Sequence, residues 1–113
     1  MENLKIAIGC DHGGFHLKEK ILEYLGVHNI EYKDFGIYTL EQSDYPIVAK
    51  QVAQEVAAGN FDRGILVCGT GIGMSITANK VKGIRAVCLE NTYSARVSRA
   101  HNNANILCLG ERV

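Results

Sequence analysis

The sequence has no tryptophan, only one proline and few aromatic residues. Charge of either sign is not in surplus, because twelve basic side chains meet twelve acidic ones. No basic cluster interleaves with aromatics, which argues against nucleic acid as the main partner. No apolar run approaches the roughly 20 residues of a membrane span. No basic segment followed by an apolar stretch opens the chain, so no signal peptide is expected. The four cysteines, Cys10, Cys68, Cys88 and Cys108, include no C-x-x-C pair. Their spacing suggests neither a zinc site nor a compact disulfide frame. Free thiols fit a reducing cytoplasm, which is the expected location. There is no internal repeat, low-complexity segment or linker.

What is present suits one soluble domain. A chain of 113 residues, 47% of them hydrophobic, can build one real core but not two. Leu4 to Gly9 reads as a first strand and ends at the polar turn Cys10-Asp11-His12-Gly13-Gly14. Leu17, Ile21, Leu22 and Leu25 recur at helical spacing, with Gly26 as the stop. Ile30 to Phe35 is a second, more polar strand, and Gly36 to Ser43 a loop. Asp44 is placed to cap the next helix, with Pro46 in its first turn and Val48, Val52 and Val56 as its stripe. Ile84 to Leu89 and Ala104 to Leu109 are further strands, joined by a short helix. Thr92 is that helix's expected cap, and Tyr93, Val97 and Ala100 are its apolar positions. Strands alternating with helices predict an α/β fold, a parallel sheet covered on both faces.

The stretch Gly64 to Lys80 concentrates the chemistry. Ile65, Leu66 and Val67 form a strand buried on both faces, which breaks at Cys68 into Gly69, Gly71 and Gly73. A helix-compatible segment follows, with Ile72 and Ile76 one turn apart. Glycines let a backbone approach a ligand closely. The first amides of a helix lack internal partners. Thiolate is favoured at a helix start and is the reactive form. A reactive group beside fixed amide donors suits a reaction passing through an oxyanion. The plainer reading is that a cysteine ending a strand is an inert small hydrophobe and the glycines form a turn.

Ligands of such sheets bind beyond the carboxyl ends of the strands. Asp11-His12, Cys68 to Gly73 and Glu90-Asn91 fall there, whereas His101-Asn102 belongs at the opposite end and needs a partner subunit to reach the site. Asp11 as a simple helix cap and His101 as a histidine favoured by a helix dipole are the alternatives. His16 and His28 read as surface residues. Cys10, Cys88 and Cys108 read as core fillers. Arg96 and Arg99 form a solvated helix face or serve a subunit interface.

Five segments together resemble the type B ribose-5-phosphate isomerases and the galactose-6-phosphate isomerase subunits. They are Gly9-Cys10-Asp11-His12-Gly13-Gly14, Asp44-Tyr45-Pro46, Cys68-Gly69-Thr70-Gly71-Ile72-Gly73, Gly83-Ile84-Arg85-Ala86 and His101-Asn102-Asn103-Ala104-Asn105, in that order. The resemblance implies a Rossmann-like three-layer αβα sandwich with a five-stranded parallel sheet. It implies a metal-free, cofactor-free aldose–ketose isomerase of a sugar phosphate, forming a homodimer or homotetramer with a shared site. By the same resemblance Cys68 is the base, Thr70 assists at the sugar oxygens, and the amides from Gly69 through Gly71 and Ile72 to Gly73 hold the enediolate. Asp11 and His12 contact the sugar hydroxyls and phosphate, and Arg112 binds phosphate. His101 helps open the furanose ring and, with Asn102, comes from the partner. The family continues past the Gly-x-Arg-Val reached at Val113, so a single isomerase domain lacking a C-terminal helical extension is expected. Six-carbon substrates, galactose 6-phosphate or allose 6-phosphate, are the alternative to ribose 5-phosphate.

Two other classes compete. A dinucleotide-binding module is suggested by Gly69-Thr70-Gly71-Ile72-Gly73 with Glu90 at the end of the next strand. The spacing, however, is G-x-G-x-G and the loop follows the third strand, not the first. A P-loop is excluded, since no Gly-Lys-Ser/Thr follows the glycines. The second rival is a non-catalytic partner subunit of the same fold. Cys68, Thr70 and His101 speak against it.

Overall fold

The computed structural model describes residues 4–36 and 45–113. Five strands, β1 (Lys5–Cys10), β2 (Glu31–Asp34), β3 (Arg63–Cys68), β4 (Ala86–Cys88) and β5 (Ile106–Gly110), form one sheet. All pairings are parallel and the order is β2-β1-β3-β5-β4. Four helices connect them: α1 (Phe15–Val27), α2 (Tyr45–Ala57), α3 (Ile72–Ala78) and α4 (Thr92–Asn102). This is the expected α/β sandwich. The predicted loop over 37–43 and the Asp44 cap lie outside the described residues.

Side chains alternate across the sheet, as period-2 geometry demands. Ala7, Leu66, Cys68, Ile106 and Cys108 face α2 and α3, and bury Val52, Ala53, Met74 and Ala78 with them. Residues of the other parity face α1 and α4: Leu17 of α1 and Ala95 of α4 line one cavity with Leu107 and Leu109 of β5. β3 lies between β1 and β5, and its Leu66 and Val67 are fully buried. A parallel strand covered on both faces reads as a continuous apolar run, as Ile65-Leu66-Val67 does.

Several expected boundaries move. α1 runs through Gly26 to Val27, and Asn29 takes the left-handed conformation (φ 56°) beyond it. Asn91, not Thr92, caps α4, its side chain accepting from the Ser94 amide at 2.8 Å. Gly73 lies inside α3, not in the loop. The apolar spacing on two helices faces outward: Ile72 and Ile76 of α3 and Tyr93 of α4 are exposed, while Met74, Ala78 and Ser98 are buried. Cys88, expected in the core, is exposed at the end of the edge strand β4, whereas Cys10 and Cys108 are core residues.

One charged contact is internal. Lys18, on α1, is 0% exposed, and its Nζ donates to both oxygens of Asp34 at 3.0 and 2.8 Å. Asp34 also accepts from the Gly36 amide at 2.9 Å, so the pair ties α1 to the end of β2. Breaking such a buried pair from one side costs about 3–5 kcal/mol. Lys18→Met is therefore expected to lower the unfolding free energy by about that amount in urea titrations. A loss under about 1 kcal/mol would make it equivalent to a surface ion pair.

Candidate active site

The carboxyl ends of β1, β3 and β5 bring three loops together. The register pairs Cys10 with Val67 and Cys68 with Gly110, so these strands end level. β1 leads to α1 on one face and β3 to α3 on the other, which opens a crevice between their loops. In that crevice Gly13 sits against the Gly69 amide, an added Cβ falling 3.1 Å from it. Asp11 is nearly buried and caps the 3₁₀ turn His12–Gly14, its Oδ1 accepting from the Gly13 amide at 2.8 Å. His12 is exposed beside it.

Cys68 ends β3 with its side chain 7% exposed. The Gly71 amide donates to its sulfur at 3.0 Å. Gly71 reaches this position at φ 84°, a left-handed conformation open to glycine. Thr70 is exposed, and its Oγ1 accepts from the Ile72 amide at 3.2 Å. Two of the amides assigned to the enediolate, Gly71 and Ile72, are thus already engaged by the two side chains they flank. Each of these amides points at the side chain it flanks, the thiol and the hydroxyl. Gly73, in the first turn of α3, is among the amides that a helix leaves without an internal partner.

The chain after β5 braces the loop. The Glu111 amide donates to the Cys68 carbonyl at 2.8 Å, and the Arg112 amide to the Gly69 carbonyl at 3.0 Å. The Arg112 guanidinium lies across Gly69, one nitrogen 3.2 Å from where a Cβ would stand. The Glu111 carboxylate accepts from the Leu17 amide at 2.8 Å, in the first turn of α1. Sequence reading missed Glu111, because its partner is 94 residues away. It also missed Cys88, whose thiol donates to the Thr70 carbonyl at 3.3 Å. Desolvation, then Cys68 and Glu90, push the Cys88 thiol up from its usual pKa. Burial, then Cys88 and Cys68, push Cys108 up further, so it stays neutral in the core.

A cavity of about 480 Å³ opens beside the loop, lined by Thr70, Ile72, Cys88, Glu90, Ser94 and Val113. Among the described residues no group of three or more His, Cys, Asp or Glu side chains is arranged to hold a metal. No described helix is long and apolar enough to cross a membrane.

The structure gathers Asp11, His12, Cys68, Gly69, Thr70, Gly71, Ile72, Gly73 and Arg112 at one edge of the sheet. It does not bring His101 and Asn102 there. Both lie at the end of α4, ahead of β5, and are exposed at the amino edge. The length of β3, six residues, separates the two edges by about 16 Å.

Comparison with known proteins identifies the class: the chain belongs to the Ribose/Galactose Isomerase family, whose profile matches residues 6–113. Among particular relatives it is 53% identical over 109 residues to ribose-5-phosphate isomerase B of Escherichia coli, covering 96% of this chain and 73% of that one. It is 46% identical to D-erythrulose-4-phosphate isomerase 2 of Mycolicibacterium smegmatis, covering 97% of this chain and 74% of that one. The structure of ribose-5-phosphate isomerase B from Clostridium thermocellum superposes with a TM-score of 0.96 at 55% identity. It covers 97% of this chain and 74% of that one.

Gly110 shows how tightly the edge is built. A Cβ there would lie 2.6 Å from the Thr70 backbone. Gly110→Ala must displace the loop, and a 1 Å displacement of a catalytic group costs on the order of 100-fold in rate. A folded Gly110→Ala protein with isomerase activity within about threefold of wild type would show that the loop's position is not critical.

Proposed function

We propose that this chain interconverts ribose 5-phosphate and ribulose 5-phosphate through an enediolate, with the Cys68 thiolate as base. The observation that carries this reading is the Cys68 sulfur under the Gly71 amide at 3.0 Å, at the start of a loop whose Thr70 and Ile72 line a cavity of about 480 Å³. With the open-chain aldose bound, Cys68 takes the proton from C2. The C2–H electron pair becomes the C1–C2 double bond, and the carbonyl electrons pass to the C1 oxygen. Return of that proton to C1, with passage of the C2 hydroxyl proton to the C1 oxygen by way of the Thr70 hydroxyl, yields the ketose. Thr70 lies next to Cys68 and serves the two sugar oxygens, its hydroxyl oriented by the Ile72 amide. A positioned base typically contributes 10²–10⁴-fold, and an oxyanion donor about 3–4 kcal/mol. The amide of Gly73 suits the second task.

Arg112, fixed over Gly69, is the phosphate anchor in this reading, and Asp11 and His12 flank the sugar. Ring opening falls to His101, with Asn102, of the partner subunit in a homodimer or homotetramer. Two features support that assembly: the distance of His101 from Cys68 within one chain, and the outward apolar side chains Ile72, Ile76 and Tyr93. The free thiols suit the cytoplasm.

Two variants test the reading together. Cys68→Ala and His101→Asn are each expected to lose isomerase activity and hydrogen exchange at C2 while staying folded. Mixed in equal amounts and allowed to exchange subunits, they should regain about a quarter of wild-type activity in a dimer, since half the dimers carry one intact site. No recovery would contradict the shared site. Exchange retained by Cys68→Ala would remove Cys68 as the base. A panel of four-, five- and six-carbon aldose phosphates reads the preferred chain length, and preference for another length would overturn the ribose assignment.

A further inference from the structure

We propose that Cys88 is a positioning residue, holding the Cys68 thiol in its reactive state through the peptide group that joins Thr70 to Gly71. The inference rests on Cys68 as the base. One planar peptide carries both contacts. Its carbonyl, on Thr70, accepts from Cys88 Sγ at 3.3 Å, and its N–H, on Gly71, donates to Cys68 Sγ at 3.0 Å. A peptide plane is rigid, so turning it would break both contacts at once.

Something must select that orientation, because glycine tolerates several. Gly71 stands at φ 84° and packs closely on β4 and β5. A Cβ on it would lie 2.9 Å from Cys88 Sγ and 3.1 Å from the Leu109 carbonyl carbon. The two sulfurs therefore bracket the same residue, one at its amide and one at its Cα.

Proton bookkeeping agrees. A carbonyl only accepts, so the proton of the first contact belongs to Cys88. Desolvation and the nearby Cys68 and Glu90 keep Cys88 in its thiol form. Donation into a peptide carbonyl polarises the group and strengthens donation from its N–H, by about 10–30% per bond. The stronger N–H then sits on the sulfur that must carry negative charge. Cys88 reaches the chemistry without touching substrate at the reacting carbons.

The experiment compares Cys88→Ser, which keeps a donor, with Cys88→Ala and Cys88→Val, which remove it. Carboxamidomethylation of Cys68 by iodoacetamide at fixed pH is followed by mass spectrometry of its peptide, alongside kcat and KM for ribose 5-phosphate. Loss of the donor should slow Cys68 modification and lower kcat by about 3- to 10-fold, with KM unchanged. Cys88→Ser should restore both to within about twofold. Wild-type rates in Cys88→Ala would overturn the proposal, as would Cys88→Ser behaving like Cys88→Ala. Should Cys88→Val fail to fold, the Ser and Ala pair decides alone. Modification of Cys68 needs no turnover, so a failure of Cys68 as base, seen in Cys68→Ala, remains a separate result.

Discussion

The amide of Gly71 points at the sulfur of Cys68 from 3.0 Å, and much of the structure serves that contact. β3 must end level with β5 to put Cys68 beside Gly110. Gly110 must lack a side chain for Thr70 to lie over it, and Gly71 must take a left-handed turn to bring its amide round. The segment after β5 then clamps the loop from above through the Glu111 and Arg112 amides. Each requirement is met by backbone, which has no rotamers to reorganise. Fixed dipoles of this kind give the electrostatic preorganisation that oxyanion chemistry needs.

In the proposed reading the same economy explains why His101 and Asn102 would have to come from a second subunit. In a parallel α/β sheet, the segments leading into strands lie opposite those leaving them. His101 and Asn102 precede β5, and Cys68 follows β3, so no side-chain movement joins them. The apolar side chains that two helices turn outward belong to the same picture. On α3 the inward face is taken by Met74 and Ala78, leaving Ile72 and Ile76 outside next to the loop. A homo-oligomer would cover that surface and complete the chemistry in one step.

Much of this was legible in the sequence because it is local. The strand–helix alternation, the apolar run before Cys68 and the turn at Gly69 and Gly71 are short-range patterns that lie where predicted, with Gly73 taken into α3. Boundaries set by tertiary contacts were not legible. Gly26 reads as a stop, yet a glycine inside a helix costs only about 1 kcal/mol, and α1 continues through it to Val27. Nothing local marks Lys18 for burial, because its partner Asp34 is delivered by β2. Cys88 reads as core because its strand looks long. β4 is in fact three residues at the sheet edge, so its last side chain meets the loop and solvent. The engagement of the Gly71 and Ile72 amides by their neighbours' side chains is likewise a product of turn geometry that composition does not encode.

The most direct measurement is a crystal structure of the chain with a hydroxamate mimic of the pentose phosphate enediolate. The account predicts the mimic at the carboxyl edge, with the atoms equivalent to C1 and C2 about 3–3.5 Å from the Cys68 sulfur and its phosphate on Arg112. A mimic bound in the cavity between Leu17 and Ala95 instead, with Cys68 out of reach, would contradict it.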